Sequence, residues 1–173
     1  MIINLIAFQI GWFSCILGSA YHHPWLGVLV SSIVLLMNVL SSNAPVHQAG
    51  FLIATMMIGI FFDSIPMHLG WIEFMQVTYW PDVLPPPWMI ALWGLFASTI
   101  NISLAWLKEK IGLASILGAI AGPLSYWSGA RLGAIHIVNS NMAMLYLSIG
   151  WAIAVPVLFK LASPTQPLIS SEE

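Results

Sequence analysis

The sequence predicts an all-α polytopic integral membrane protein: a bundle of about six transmembrane helices, the fifth of them kinked. Two observations carry that prediction. Of 173 residues, 60% are hydrophobic and 6% charged, with a mean hydropathy of +0.93. A soluble domain carries about a quarter charged residues, so most of this surface must face lipid. The apolar residues also fall into six runs, each near the roughly 20 residues that cross about 30 Å of hydrocarbon. Short polar or proline-marked breaks divide them.

The first run covers about Ile2–Ala20. Its end, Gly18-Ser19-Ala20, has the small residues of a signal-peptide cleavage site, but no Lys or Arg precedes the run, and Asn4 and Gln9 interrupt it. It is read as a retained first helix, a point that mass spectrometry of the N-terminus decides. Tyr21-His22-His23 makes a turn, and Pro24, suited to a helical first turn, opens the second helix, about Pro24–Leu40. After Ser41-Ser42-Asn43, Pro45 begins the third, which runs to about His68 with Gly70 as its C-terminal cap.

Trp71–Pro87 is read as a loop lying on the bilayer rather than a lid, because Trp71, Phe74, Tyr79 and Trp80 suit the membrane–water interface. Pro85-Pro86-Pro87 stiffens its end. The remaining helices are placed at about Trp88–Leu107, Ile111–Leu132 and Met142–Leu161. Residues 1–161 thus form one transmembrane domain, and the Pro-, Ser- and Glu-rich tail Ala162–Glu173 is expected to be disordered and cytoplasmic. No repeat between the first three and last three helices is evident, so an inverted-repeat transporter gains no support.

With six spans, Lys108, Lys110 and Lys160 share one side. The positive-inside rule makes that side cytoplasmic and places both termini there, in a bacterial inner membrane. Arg131 is the exception on the outer side. A formal charge of −2 without a basic patch argues against nucleic acid as a partner. The lone cysteine, Cys15, excludes an internal disulfide and a multi-cysteine metal site, and reads as a small packing residue. His22 and His23 are adjacent and so point apart. No HExxH, HxxxH or CxxC pattern occurs. Neither a metal nor another cofactor is expected, and His47 reads as a solvated loop residue.

Polar groups within spans are costly and turn inward to find partners. Asp63 is the one carboxylate inside a span, about 25 Å along the third helix. Arg131, on the fifth helix, ends at a similar level. The preferred reading is a structural ion pair between them, bridged by Tyr126 or Ser64. The alternative is a pocket open to the outer leaflet, in which Arg131 grips a phosphate or carboxylate and Asp63 or His68 moves a proton. At the other end Asn4, Gln9, Asn38 and Asn101 form a second polar layer, read as interhelical hydrogen-bonding glue rather than a channel.

On helix five, Ala114, Gly118, Gly122, Ser125, Gly129 and Gly133 recur every three or four residues. That spacing makes one smooth face for close helix packing. Pro123 removes the backbone bond to Ala119 and predicts the kink.

Four stretches together resemble a bacterial family of small membrane proteins called domain of unknown function 2878: NLIAFQIGWFSCILG, GIFFDS, LWGLFASTINISLAWL and GPLSYWSGARLG. The likeness extends to about Phe159. The family pattern more usually carries alanine where this chain has Ser125; both are small. The family has no established activity, so the resemblance assigns no catalytic residue. It implies a gene encoded near those of enzymes that modify membrane fatty acids, such as cyclopropane synthase-like methyltransferases. Membrane lipids and lipid-modifying enzymes are therefore the expected partners.

Three functions follow as expectations. The first is a non-enzymatic accessory to lipid modification or envelope stress. The second is a transporter or flippase of an amphipathic anion using Asp63, Arg131 and His68. The third is a lipid-acting enzyme built on Asp63 and His68, which no nucleophile–base motif supports.

Overall fold

The structure is a computed structural model that describes residues 1–162. The tail expected to be disordered lies, beyond Ala162, outside the described residues. Among the described residues six helices make up the fold: α1 (Ile2–Ala20), α2 (Pro24–Leu40), α3 (Pro45–His68), α4 (Pro87–Ile100), α5 (Ile111–Arg131) and α6 (Ser140–Leu161). Two short strands, β1 (Ile72–Phe74) and β2 (Ile135–Ile137), follow α3 and α5. Four helices (α1, α3, α5 and α6) are long and apolar enough to cross a membrane. Their outward residues, among them Ile53, Phe61, Ile120 and Ile149, are large and apolar. The architecture is that of a polytopic helical membrane protein.

Local chemistry explains the boundaries. Pro24, Pro45 and Pro87 each open a helix, where a missing N–H costs nothing. Asn139 caps α6, its side-chain oxygen accepting from the Met142 amide at 3.2 Å. The helices α3 and α5 end alike. Gly70 and Gly133 adopt positive φ, the amides of Gly70 and Trp71 return to Met67 and Pro66, and those of Gly133 and Ala134 return to Ala130 and Gly129. Both ends are Schellman caps. Gly133 therefore terminates α5, rather than serving on its packing face as expected.

The fourth helix differs most from expectation. It ends at Ile100, not near Leu107, and a 3₁₀ turn spans Ala105–Leu107. Thr99 and Ser98 bond back to Phe96 and Leu95, while Asn101 and Ser103 commit their side chains to partners on other helices. Such side chains compete with helix continuation. The result is a 14-residue helix about 21 Å long, with eleven residues buried. It touches α1, α2, α3 and α6 and is the centre of the bundle.

The loop expected on the bilayer surface instead closes one end of the bundle. Ile72, Phe74, Val77 and Pro85 are buried, because β1 pairs antiparallel with β2: Ile72 opposite Ile137, Glu73 opposite His136, Phe74 opposite Ile135. Tyr79 alone of the loop's aromatics stands fully exposed.

A repeat underlies this closure. A shift of 63 residues lays Leu69-Gly70-Trp71-Ile72-Glu73-Phe74 over Leu132-Gly133-Ala134-Ile135-His136-Ile137. The strand register is symmetric under that shift, and so are its flanking bonds, Met75 N–H to Ala134 O and Val138 N–H to Trp71 O. Two glycines obey it as well: Gly59 packs on Trp93 of α4, and Gly122 on Trp151 of α6. The units α3–β1 and α5–β2 are thus related by a local pseudo-two-fold. A comparison of the first three helices with the last three misses it, because the repeat begins at α3.

Candidate functional site

The pseudo-two-fold brings Asp63 and Tyr126, equivalent positions on α3 and α5, face to face. Asp63 is completely buried. Its Oδ2 accepts a 2.8 Å hydrogen bond from Trp93 Nε1, and its Oδ1 accepts one from the Tyr126 hydroxyl. Aromatic rings close the surroundings. Trp93 stacks on Trp151 with centroids 4.8 Å apart and planes 13° from parallel, and Phe62 packs against Trp93, Tyr146 and Trp151. The Trp151 Nε1 is buried here without a hydrogen-bond partner. Trp93 and Trp151 are parts of this centre that the sequence reading missed; their signal was a tryptophan beside a glycine on each of α4 and α6.

The expected ion pair between Asp63 and Arg131 does not form. Arg131 follows Tyr126 by five residues, a rotation of about 140° around the helix beyond one full turn. That turns it away from α3, and its guanidinium lies 5.8 Å from the Trp127 ring centroid at an exposed position. His68 follows Asp63 by the same five residues and is likewise exposed, bonded to Ser64 O at 2.7 Å. Asp63, Arg131 and His68 therefore share no pocket. Among the described residues the one ion pair is His136 with Glu73, 3.1 Å apart and solvent-exposed on the ribbon. No three His, Cys, Asp or Glu side chains gather there as metal ligands.

The polar layer at the opposite end is a network. Asn4 Nδ2 donates to Ser98 O and its Oδ1 accepts from Ser103. Gln48 Nε2 donates to Asn38 Oδ1 at 2.8 Å, and Asn101 Nδ2 donates to Gln48 Oε1 at 3.2 Å. Lys108 Nζ completes it on Asn101 Oδ1 at 2.5 Å, and partial burial lowers the pKa of that ammonium. The chain of bonds ties α1, α2, α3 and α4 to the connector before α5. Gln48, which sequence reading passed over, is its buried hub; Gln9 stands outside it.

Between α1 and α5 lies a cavity of about 490 Å³. The two helices are joined there by one side-chain hydrogen bond, from Trp12 Nε1 to Ser125 Oγ at 3.2 Å. Gly129 and Ile16 approach at the ribbon end. The small face of α5 divides its work: Gly118 and Gly122 admit the backbone and ring of Trp151 on α6 and also line the cavity floor. Pro123 is buried within an unbroken α5. Trp93 and Tyr126 form the wall that separates the cavity from Asp63. Gln9 lies at the rim, and no charged side chain, imidazole or thiol lines the space. Such a lining can bind and orient, but it offers no acid–base pair.

The model of the family described as "Protein of unknown function (DUF2878)" matches residues 1–157. The chain belongs to that family. In this DUF2878 member the match takes in α1 to α5 and α6 as far as Val157, so the Asp63 centre and the cavity both lie within the family region. No curated protein and no solved structure gives a match.

Proposed function

We propose that this protein is a non-enzymatic accessory of membrane-lipid modification that works by holding one lipid chain in the groove between α1 and α5. The observation that carries the reading is the cavity itself. Its volume falls within the roughly 300–1,000 Å³ of small-molecule sites, its lining is apolar and uncharged, and its sides are two lipid-facing helices. An acyl chain entering from the bilayer keeps the same apolar surroundings and gains fixed aromatic walls. In this reading the protein is multi-pass in a bacterial inner membrane, with the lysine-bearing end and both termini cytoplasmic. Lipid-modifying enzymes are the partners to which it presents or from which it withholds the chain.

Photo-crosslinking with a diazirine-bearing fatty acid tests this. Label is expected on Leu117, Ala121 and Phe8, which line the groove, and Ala121→Trp, which fills it, should remove that label. Labelling spread evenly over the outer faces of α2 and α6, unchanged by Ala121→Trp, would refute the reading.

A further inference from the structure

The groove has two ends, and they differ in charge. Trp106 and Leu107, in the connector after α4, line one end. Lys108 follows Leu107 directly, and the Lys110 ammonium stands 5.4 Å from the centroid of the Trp106 ring. Two of the chain's four Lys/Arg residues thus stand at this mouth. Glu109, between them, makes no ion pair with either among the described residues. The first turn of α5 begins at Ile111 with no side-chain cap and no acidic residue, so its free amides add partial positive charge at the same end. Toward the other end the cation is Arg131, which lies over Trp127, and neither residue is part of the lining.

We propose that the groove's occupant is an anionic lipid, with one acyl chain between α1 and α5 and its carboxylate or phosphate seated against Lys108 and Lys110. This rests on the chain-binding reading above and adds the polarity of the ligand and the end at which its head group lies. The uncharged lining keeps a charged group out of the groove interior, since a charge there would be desolvated without a partner. At the mouth, long lysine stems reach the interface while their ammonium groups stay polar. Lys108 is partly buried with an amide oxygen as its partner. An anion supplies the compensating charge that the amide lacks.

Single-chain probes of one length, bearing a carboxylate, a phosphate or a neutral hydroxyl, test the inference when bound lipid is counted by native mass spectrometry in neutral detergent. Both anions are expected to outcompete the alcohol about 25-fold, with about fivefold from each lysine. Lys110→Gln alone should lower the preference about fivefold; its side chain contacts Trp106 rather than the buried network, so the fold is preserved. Lys108→Gln combined with Lys110→Gln should remove the preference while the alcohol still binds. An alcohol retained as well as the anions by the unaltered protein overturns the inference, as does a preference that survives the double substitution. The chain-binding reading fails separately, if Ala121→Trp leaves the occupancy of all three probes unchanged.

Discussion

Gly59→Ala probes the Asp63 centre through a single added methyl group. Gly59 lies four residues before Asp63, on the same face of α3. A Cβ at 59 would stand 2.6 Å or closer to three atoms of the Trp93 ring, where ordinary contact begins at 3.4 Å. The ring has no free direction of retreat. It is stacked on Trp151, bonded to Asp63 and 2% exposed. Overpacking of this kind costs about 1–3 kcal/mol. A shift of about 1 Å also opens the Trp93–Asp63 bond, and a buried polar group losing a partner costs about 1–3 kcal/mol more. The expected loss is therefore about 2–6 kcal/mol, much of a typical margin of stability. Gly50, on the same helix, has nothing within 4 Å of its added Cβ, so Gly50→Ala should change stability by no more than about 1 kcal/mol. Thermal unfolding in neutral detergent, followed by tryptophan fluorescence, compares the two. If Gly59→Ala melts together with Gly50→Ala, Trp93 is not held rigidly between Trp151 and Asp63.

Two further outcomes separate the observed centre from the ion pair that the sequence suggested. Tyr126→Phe should cost about 1–3 kcal/mol, because it leaves the buried Asp63 with one donor in place of two; unchanged unfolding would show that the hydroxyl is not engaged. Arg131→Gln should lower stability by at most about 1 kcal/mol, the scale of an exposed cation–π contact. A loss comparable to that of Asp63→Leu in the same melting assay would restore the ion pair.

The positions of the six helices were legible because each rests on a local signal: apolar length, proline at the first turn, glycine past the last. The packing face of α5 was legible for the same reason, since Gly118, Gly122 and Gly129 announce a close neighbour by spacing alone. Identity of the neighbour was not. Pairing Asp63 with Arg131 matched charge to charge at one depth, whereas the helix rotation, fixed by packing, turned Tyr126 inward and Arg131 outward. The early end of α4 was hidden because Asn101 and Ser103 spend their hydrogen bonds on residues distant in sequence, Gln48 and Asn4. The repeat was present in plain letters, LGWIEF and LGAIHI, but its frame starts at the third helix. Alternation of apolar and polar residues in the last three of each, Ile-Glu-Phe and Ile-His-Ile, also marked the strands, at a length too short to stand alone.

The central position of α4 bears on how the chain is made. Every helix it packs against except α6 precedes it in the sequence, so most of its surface finds cover as soon as it leaves the ribosome. At about 21 Å it is too short to wait in the bilayer as an independent span. The contacts of α5 are chiefly with α6 and β2, elements that follow it in the sequence, so these elements form a hairpin set against α1 to α4. The groove beside α1 is then the seam between that hairpin and the first four helices described, lined on one side by α1 and on the other by α5.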